Sequence, residues 1–268
     1  MNNDRGRGAL MFFGFRSLWS GVVLSLLIAG AAAAAPSAPP TTVAFVGDSM
    51  ADGLWGAMFR RLGKDKCLSE RIKLIRDVKN GTGLTRLDQY NWIDEVAATA
   101  ARSGIDIFVG SFGINDRQPI VDASKTRTEY GAPEFDIHYQ SNVVDLLRAG
   151  MSHGGSVLIV GLPVMLNPVA NADAAVKNKL FAAAVAQVDS PRAAYVPPWR
   201  SGPGADVFKP YLPDANNVMT LVRAPDGVHF TTTGYDRVLD AFFPAILASL
   251  RQRGRDVEAE CAGQVGSR

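Results

Sequence analysis

Three short strings in this sequence hold side chains that could act together on an acyl group: Gly47-Asp48-Ser49-Met50, Gly113-Ile114-Asn115-Asp116 and Asp226-Gly227-Val228-His229-Phe230. A serine hydroxyl is a weak nucleophile until a base takes its proton. His229 is such a base, and Asp226 precedes it by a spacing at which a carboxylate can reach Nδ1–H across a turn and leave Nε2 facing Ser49. A developing oxyanion needs donors aimed at it, and the Ser49 N–H, a glycine N–H and the Asn115 side chain could converge as three of them. The residues around Ser49 do not follow G-x-S-x-G, so the sharp nucleophile elbow is not indicated. Each residue also has an ordinary reading. Asp226 could form an Asx-turn with Gly227, His229 could be a surface residue at a helix start, and Gly and Asn are common in turns.

These strings must be carried to one place, and the surrounding pattern suggests how. Short apolar runs at residues 43–46, 72–75, 105–109, 157–160 and 194–196 read as buried strands. Between them, residues 50–62, 87–102, 139–151 and 172–188 repeat apolar side chains at helical spacing. A last helix is expected from about Thr232 to Arg251, capped by Thr231 or Thr232, with Leu239, Phe242, Phe243, Ile246 and Leu250 on its buried side. This alternation is that of an α/β domain with a parallel sheet and helices on both faces. Open sheets of this kind bind ligands at the carboxyl ends of their strands. Ser49 follows the first strand, Asn80-Gly81-Thr82-Gly83-Leu84 the second and Gly113-Ile114-Asn115-Asp116 the third. Two long loops, residues 117–135 and 197–225, are candidate substrate walls, with Tyr130, Phe135, Phe208 and Tyr211 as their aromatic residues and Trp199 a further candidate for substrate contact.

Gly47-Asp48-Ser49, Gly83, Gly113-Ile114-Asn115-Asp116 and Asp226-Gly227-Val228-His229 resemble, in order, the four sequence blocks of the SGNH (GDSL-like) hydrolases. The resemblance spans about residues 41–250, and the strings Thr82-Gly83-Leu84 and Asp226 through Thr231 look closest to a poorly characterised exported bacterial group. It implies a flavodoxin-like three-layer α/β/α fold with a five-stranded parallel sheet. It also implies Ser49 as nucleophile, His229 as base oriented by Asp226, and an oxyanion hole from the N–H groups of Ser49 and Gly83 with the Asn115 side chain. Gly81 competes with Gly83 for that role. Met50 stands where the wider family usually has leucine, a swap of similar size. The activity implied is ester hydrolysis, and the polar site loops favour short acyl esters such as acetyl esters over long lipids, with a cell-envelope glycan as one carrier. An O-acyltransferase acting on an envelope polysaccharide would use the same acyl-serine and differ in excluding water. A reading from another class is a non-catalytic module holding an anion at helix N-termini, which leaves Asp226 and His229 unexplained.

The rest of the chain narrows the setting. Its 268 residues, 47% apolar with a net charge of +2, suit one main globular domain and offer no basic stripe for nucleic acid. Arg5, Arg7 and Arg16, the apolar run 18–30 and the small residues 31–35 read as a cleaved signal peptide over residues 1–35, cut near Ala33 or Ala35. A retained membrane anchor is the alternative. Residues 36–40 then form a linker, 41–251 the hydrolase domain and 252–268 a polar, mobile tail, in a protein expected in the periplasm or secreted. Cys67 and Cys261 could form a disulfide pinning that tail or remain two free thiols. His138 and His153 lack a second histidine at ligand spacing, and no cofactor or metal is expected. The expected partner is a small-molecule ester or an acylated glycan, with membrane contact only through an uncleaved signal segment.

Overall fold

The computed structural model describes residues 39–200 and 207–265. The expected signal segment lies outside the described residues. Five parallel strands form the central sheet: β1 (Thr41–Gly47), β2 (Ile72–Val78), β3 (Ile107–Ser111), β6 (Ser156–Val160) and β7 (Ala193–Val196), in the order β2-β1-β3-β6-β7. That is the flavodoxin-like order, and the chain reverses its direction of winding between β1 and β3. The small hairpins β4 (Ile120–Val121)–β5 (Arg127–Thr128) and β8 (Tyr211–Pro213)–β9 (Met219–Leu221) add short structure to the two long loops.

Both faces of the sheet are covered, as near-continuous apolar strands require. In β1, Val43 and Phe45 point to one face and Ala44 and Val46 to the other, the two-residue alternation of a pleated strand. The Val43 side packs on α1 (Ser49–Lys64) and α6 (Thr232–Gln252) through Leu54, Met58, Leu239, Phe242 and Ile246. The Ala44 side packs on α3 (Trp92–Ser103), α4 (Phe135–Met151) and α5 (Pro168–Val188) through Trp92, Tyr139, Val143, Leu147 and Phe181. Trp92 is completely buried, and its indole N–H donates to Thr82 Oγ1 at 2.9 Å, so this tryptophan holds the loop after β2 as well as the core.

Four expectations need correction, the first being the helix expected from residue 172, which begins at Pro168 behind the Asn167 cap. The helix expected from residue 87 begins at Trp92, because Asn91 caps it by accepting from the Ile93 and Asp94 amides. The helix expected from residue 139 begins at Phe135, whose ring is buried, while Glu134 makes no side-chain cap hydrogen bond that would mark the start. Beyond Gly254 the chain is not an irregular tail: it forms α7 (Val257–Val265), with Val257 buried and Cys261 in a disulfide with Cys67 of α2 (Lys66–Arg71). The disulfide closes a sequence separation of 194 residues and fastens the chain's end to the layer beside β2. For the last long helix, Thr231 is the cap, its hydroxyl accepting from the Gly234 amide.

Candidate active site

The strand ends place the chemistry. Gly47 ends β1 with φ +135°, and a Cβ there would lie 2.0 Å from the Ser111 carbonyl oxygen of neighbouring β3. Only glycine lets the two strands leave the sheet this close together. The next residue, Asp48, is buried and caps α1, its Oδ1 accepting from the Met50 amide at 2.8 Å. Ser49 is therefore the first residue of α1, where backbone N–H groups have no acceptor inside the helix and the dipole favours negative charge. Burial pushes the Asp48 carboxyl well above its ordinary range and the nearby Asp116 adds to the rise, against the opposing amides of Met50, Ile114 and Gly113.

Across the crevice, Ser49 Oγ lies 2.6 Å from His229 Nε2, a contact between residues 180 apart in sequence. His229 Nδ1 lies 2.7 Å from Asp226 Oδ2. The other Asp226 oxygen accepts from the amides of Val228 and His229 at 2.9 and 3.0 Å, so the Asx-turn and the imidazole contact coexist in one side chain. Partial burial works against this charge, but the two amides and the imidazole outweigh it and hold the carboxyl at about 2. An ionised carboxylate can only accept, so Nδ1 carries the imidazole proton and Nε2 is left to accept from the Ser49 hydroxyl.

The second and third loops meet each other at the carboxyl end of the sheet. Asn115 Nδ2 donates one hydrogen to Thr82 O at 2.8 Å and has its second hydrogen to offer. Asp116 is completely buried and gathers four donors: the Leu84 amide at 3.0 Å, the Thr85 amide at 3.2 Å, the Thr85 hydroxyl at 2.9 Å and the Tyr139 hydroxyl at 2.8 Å. Gly83 is pressed against this carboxyl group, since a Cβ there would sit 1.9 Å from Asp116 Oδ1. Gly81, by contrast, has φ +77° and open space around it, as a solvent-facing turn glycine would.

The loop that carries His229 is fastened from behind by Arg223, which sequence reading did not single out. An arginine within a long loop carries no signal that separates it from a solvated surface charge. Of the four loop aromatics, Phe135 is in the core and Phe208 lies over the Arg223 guanidinium at 4.6 Å; Tyr130 and Tyr211 remain exposed at 41% and 51%. Trp199 packs edge-on against Phe230. His138 Nδ1 lies 2.7 Å from Thr128 Oγ1 of the 117–135 loop. Among the described residues no three His, Cys, Asp or Glu side chains group as a metal site, and Asp48 is turned to its own helix start.

The sequence matches, over residues 42–245, the model of a family described as "Protein of unknown function (DUF459)". No curated protein matches it. Solved structures share the fold. A carbohydrate esterase family 3 structure from Talaromyces cellulolyticus has TM-score 0.54 at 12% identity, covering 79% of this chain and 99% of that one. A carbohydrate acetylesterase from Sinorhizobium meliloti gives 0.50 at 16%, covering 78% and 99%. A structure described as TesA gives 0.50 at 17%, covering 79% and 99%. The architecture is thus that of the SGNH hydrolases.

Proposed function

The chain belongs to the DUF459 family, and from that premise, joined to the site geometry, we propose that it is an exported serine esterase that hydrolyses short acyl esters, acetyl esters among them, carried on a cell-envelope glycan. The observation that carries the reading is the unbroken hydrogen-bond path from Ser49 Oγ to His229 Nε2 at 2.6 Å and from Nδ1 to Asp226 at 2.7 Å. A binding module would have no use for that path. The glycan half of the proposal draws on the carbohydrate esterases that share the fold and on the two exposed tyrosines of the long loops, which suit stacking against a sugar.

In the proposed reaction Ser49 Oγ attacks the ester carbonyl while Nε2 takes the hydroxyl proton. The carbonyl oxygen becomes an oxyanion that accepts from the Ser49 and Gly83 amides and from the remaining Asn115 Nδ2 hydrogen. Such donors stabilise charge that exists only in the transition state, which makes them a large part of the rate. Collapse breaks the bond to the alcohol, which leaves with the proton held by His229. A water molecule then attacks the acyl-serine, passing its proton to Nε2, and the carboxylic acid departs as Ser49 recovers its own.

Export rests on the signal-like N-terminal residues, and the Cys67–Cys261 disulfide suits an oxidising compartment. The test of the chemistry is turnover of an aryl acetate by the purified protein beside Ser49→Ala and His229→Ala. We expect each variant to lose nearly all turnover, and to about the same extent, because the group acts as a unit. Acylation of Ser49 without acid release would reassign the protein as a transferase. No acylation at all would remove the proposal.

A further inference from the structure

We propose that Arg223 is a positioning residue for the base, a buried guanidinium that fixes the peptide carrying His229 at the height from which Nε2 meets Ser49. Arg223 is 4% exposed, and among the described residues its hydrogen bonds reach no carboxylate, the Asp226 charge acting on it without direct contact. Its hydrogen bonds go to backbone instead: Nη1 donates to Val164 O at 2.7 Å, Nη2 to Val228 O at 2.8 Å and Nε to His229 O at 3.3 Å. Two aromatic rings pack against the guanidinium, with Phe230 at 4.4 Å and Phe208 at 4.6 Å from Cζ. Burial lowers its pKa to about 10, which still leaves it charged at neutral pH.

Burying an arginine with no carboxylate in direct contact is unfavourable, and a surface loop has no need of one. What the arrangement gives is a planar fork that spans two segments at once. Val164 belongs to the loop that leaves β6, so it is anchored to the rigid sheet, while Val228 and His229 belong to the loop that must hold the imidazole. A lysine ammonium, a single point charge, lacks the shape to bind all three carbonyls. The His229 peptide is then locked on each side: its carbonyl accepts from Arg223 Nε and from the Ala224 amide at 2.9 Å, and its N–H donates to Asp226. Ser49 is fixed through β1 and α1. Arg223 thus completes a rigid path from the sheet to the second reacting partner.

The kinetic consequence rests on the acyl-transfer reading above; the structural consequence does not. A misplacement of about 1 Å in a reacting group lowers rate by about 100-fold. Arg223 is buried with its donors spent on backbone carbonyls, so KM should change little. The experiment compares full-length wild type with Arg223→Met and Arg223→Lys, measuring kcat and KM on an aryl acetate, the thermal midpoint, and the His229 ring nitrogens by long-range proton–nitrogen NMR. The chain has only 3 histidines, which makes the assignment direct.

We expect folded Arg223→Met to lose 30-fold or more in kcat, about the size such a misplacement produces, with KM within about threefold of wild type. Its His229 signals should move from the Nδ1–H form toward the mixture shown by a free imidazole. Arg223→Lys should recover part of both readouts. A lower midpoint with unchanged kcat per folded molecule and an unchanged His229 tautomer would overturn the inference, because that is what a purely structural role predicts. Should Arg223→Met not fold, the lysine variant gives the same readouts with the charge retained, and a wild-type rate and tautomer there overturn the inference equally. Should wild type not turn over the ester, the tautomer comparison alone decides.

Discussion

Replacing Gly83 by alanine is the sharpest test of how the oxyanion side of the site is built. A Cβ at this position would stand 1.9 Å from Asp116 Oδ1 and 2.5 Å from Cγ, where real Cβ contacts do not go below 3.0 Å. Either the carboxyl group or the loop must therefore yield by about 1 Å. The carboxyl group is the worse choice, because moving it strands donors from Leu84, Thr85 and Tyr139 in a dry interior. Losing one or two such bonds would cost about 2–4 kcal/mol. The loop moves instead, and the Gly83 N–H moves with it. Loss of one oxyanion donor lowers kcat by about 100- to 1000-fold. The assay is kcat and KM on an aryl acetate with the thermal midpoint measured in parallel, and Gly81→Ala is the control. Gly81 has a positive φ but nothing within 4 Å, so alanine there should cost about 1 kcal/mol of stability through backbone strain and leave kcat within about threefold. A Gly83→Ala enzyme with wild-type kcat, or a Gly81→Ala enzyme equally impaired, would refute the reasoning.

Asp226→Asn should lower kcat by about 100- to 10,000-fold with little change in KM, because an amide cannot hold the Nδ1–H tautomer as a carboxylate does; an unimpaired variant would remove Asp226 from the mechanism. The acid limb of kcat/KM should follow a single proton down to about pH 3, since the carboxyl is held at about 2; two protons on that limb would contradict the geometry. Its folded value is the lower one, so the matching stability is present above the unfolded value of about 4 and lost as pH falls through about 2. The group is half exposed, which makes that contribution small. Reducing the disulfide frees an unfolded-chain loop of 194 residues and should destabilise by about 2–5 kcal/mol, a midpoint drop of about 5–15 °C, with kcat at 25 °C unchanged; an equal loss of kcat would show the C-terminal helix coupled to the site. N-terminal sequencing of the exported protein should find cleavage near Ala33 or Ala35, and an intact N-terminus in the membrane fraction would mean an anchor.

What could be read from the sequence was whatever a short string encodes by itself. The five strands are apolar runs, so their existence was plain, and only their ends moved. Thr231 marked the start of α6, but Asn91 and Asn167 cap α3 and α5 where apolar spacing pointed to residues 87 and 172, and at α4 Glu134 makes no cap bond and burial of Phe135 decides. The helix over residues 257–265 has a local start signal in Asp256, which accepts from the Ala259 amide, but its fastening to a partner 194 residues away is not encoded nearby. Within the site, Ser49, Asp226 and His229 were visible because one turn carries the last two and one helix start carries the first. Asp116 and Arg223 draw their meaning from contacts 31 and 59 residues distant, with Thr85 and Val164, and their spacing therefore says nothing.

The two carboxyl groups nearest the nucleophile explain why the charge in this site lies where it does. Asp48 and Asp226 have the same side chain and opposed surroundings. Asp48 is sealed in the core at the start of α1, and burial favours its neutral form. Asp226 sits in a turn with two amides and an imidazole around it, and stays ionised to about 2. A negative charge at Asp48 would lie beside the amide of Ser49 and oppose an oxyanion held there. A negative charge at Asp226 lies beyond the imidazole and favours the imidazolium that forms when the serine gives up its proton. Environments that drive two like groups apart in this way are what assign acid and base roles at one pH. In the proposed reaction the fold thus suppresses charge where negative charge develops and keeps it where positive charge develops. A module that only held an anion at the α1 N-terminus would need the first device and not the second.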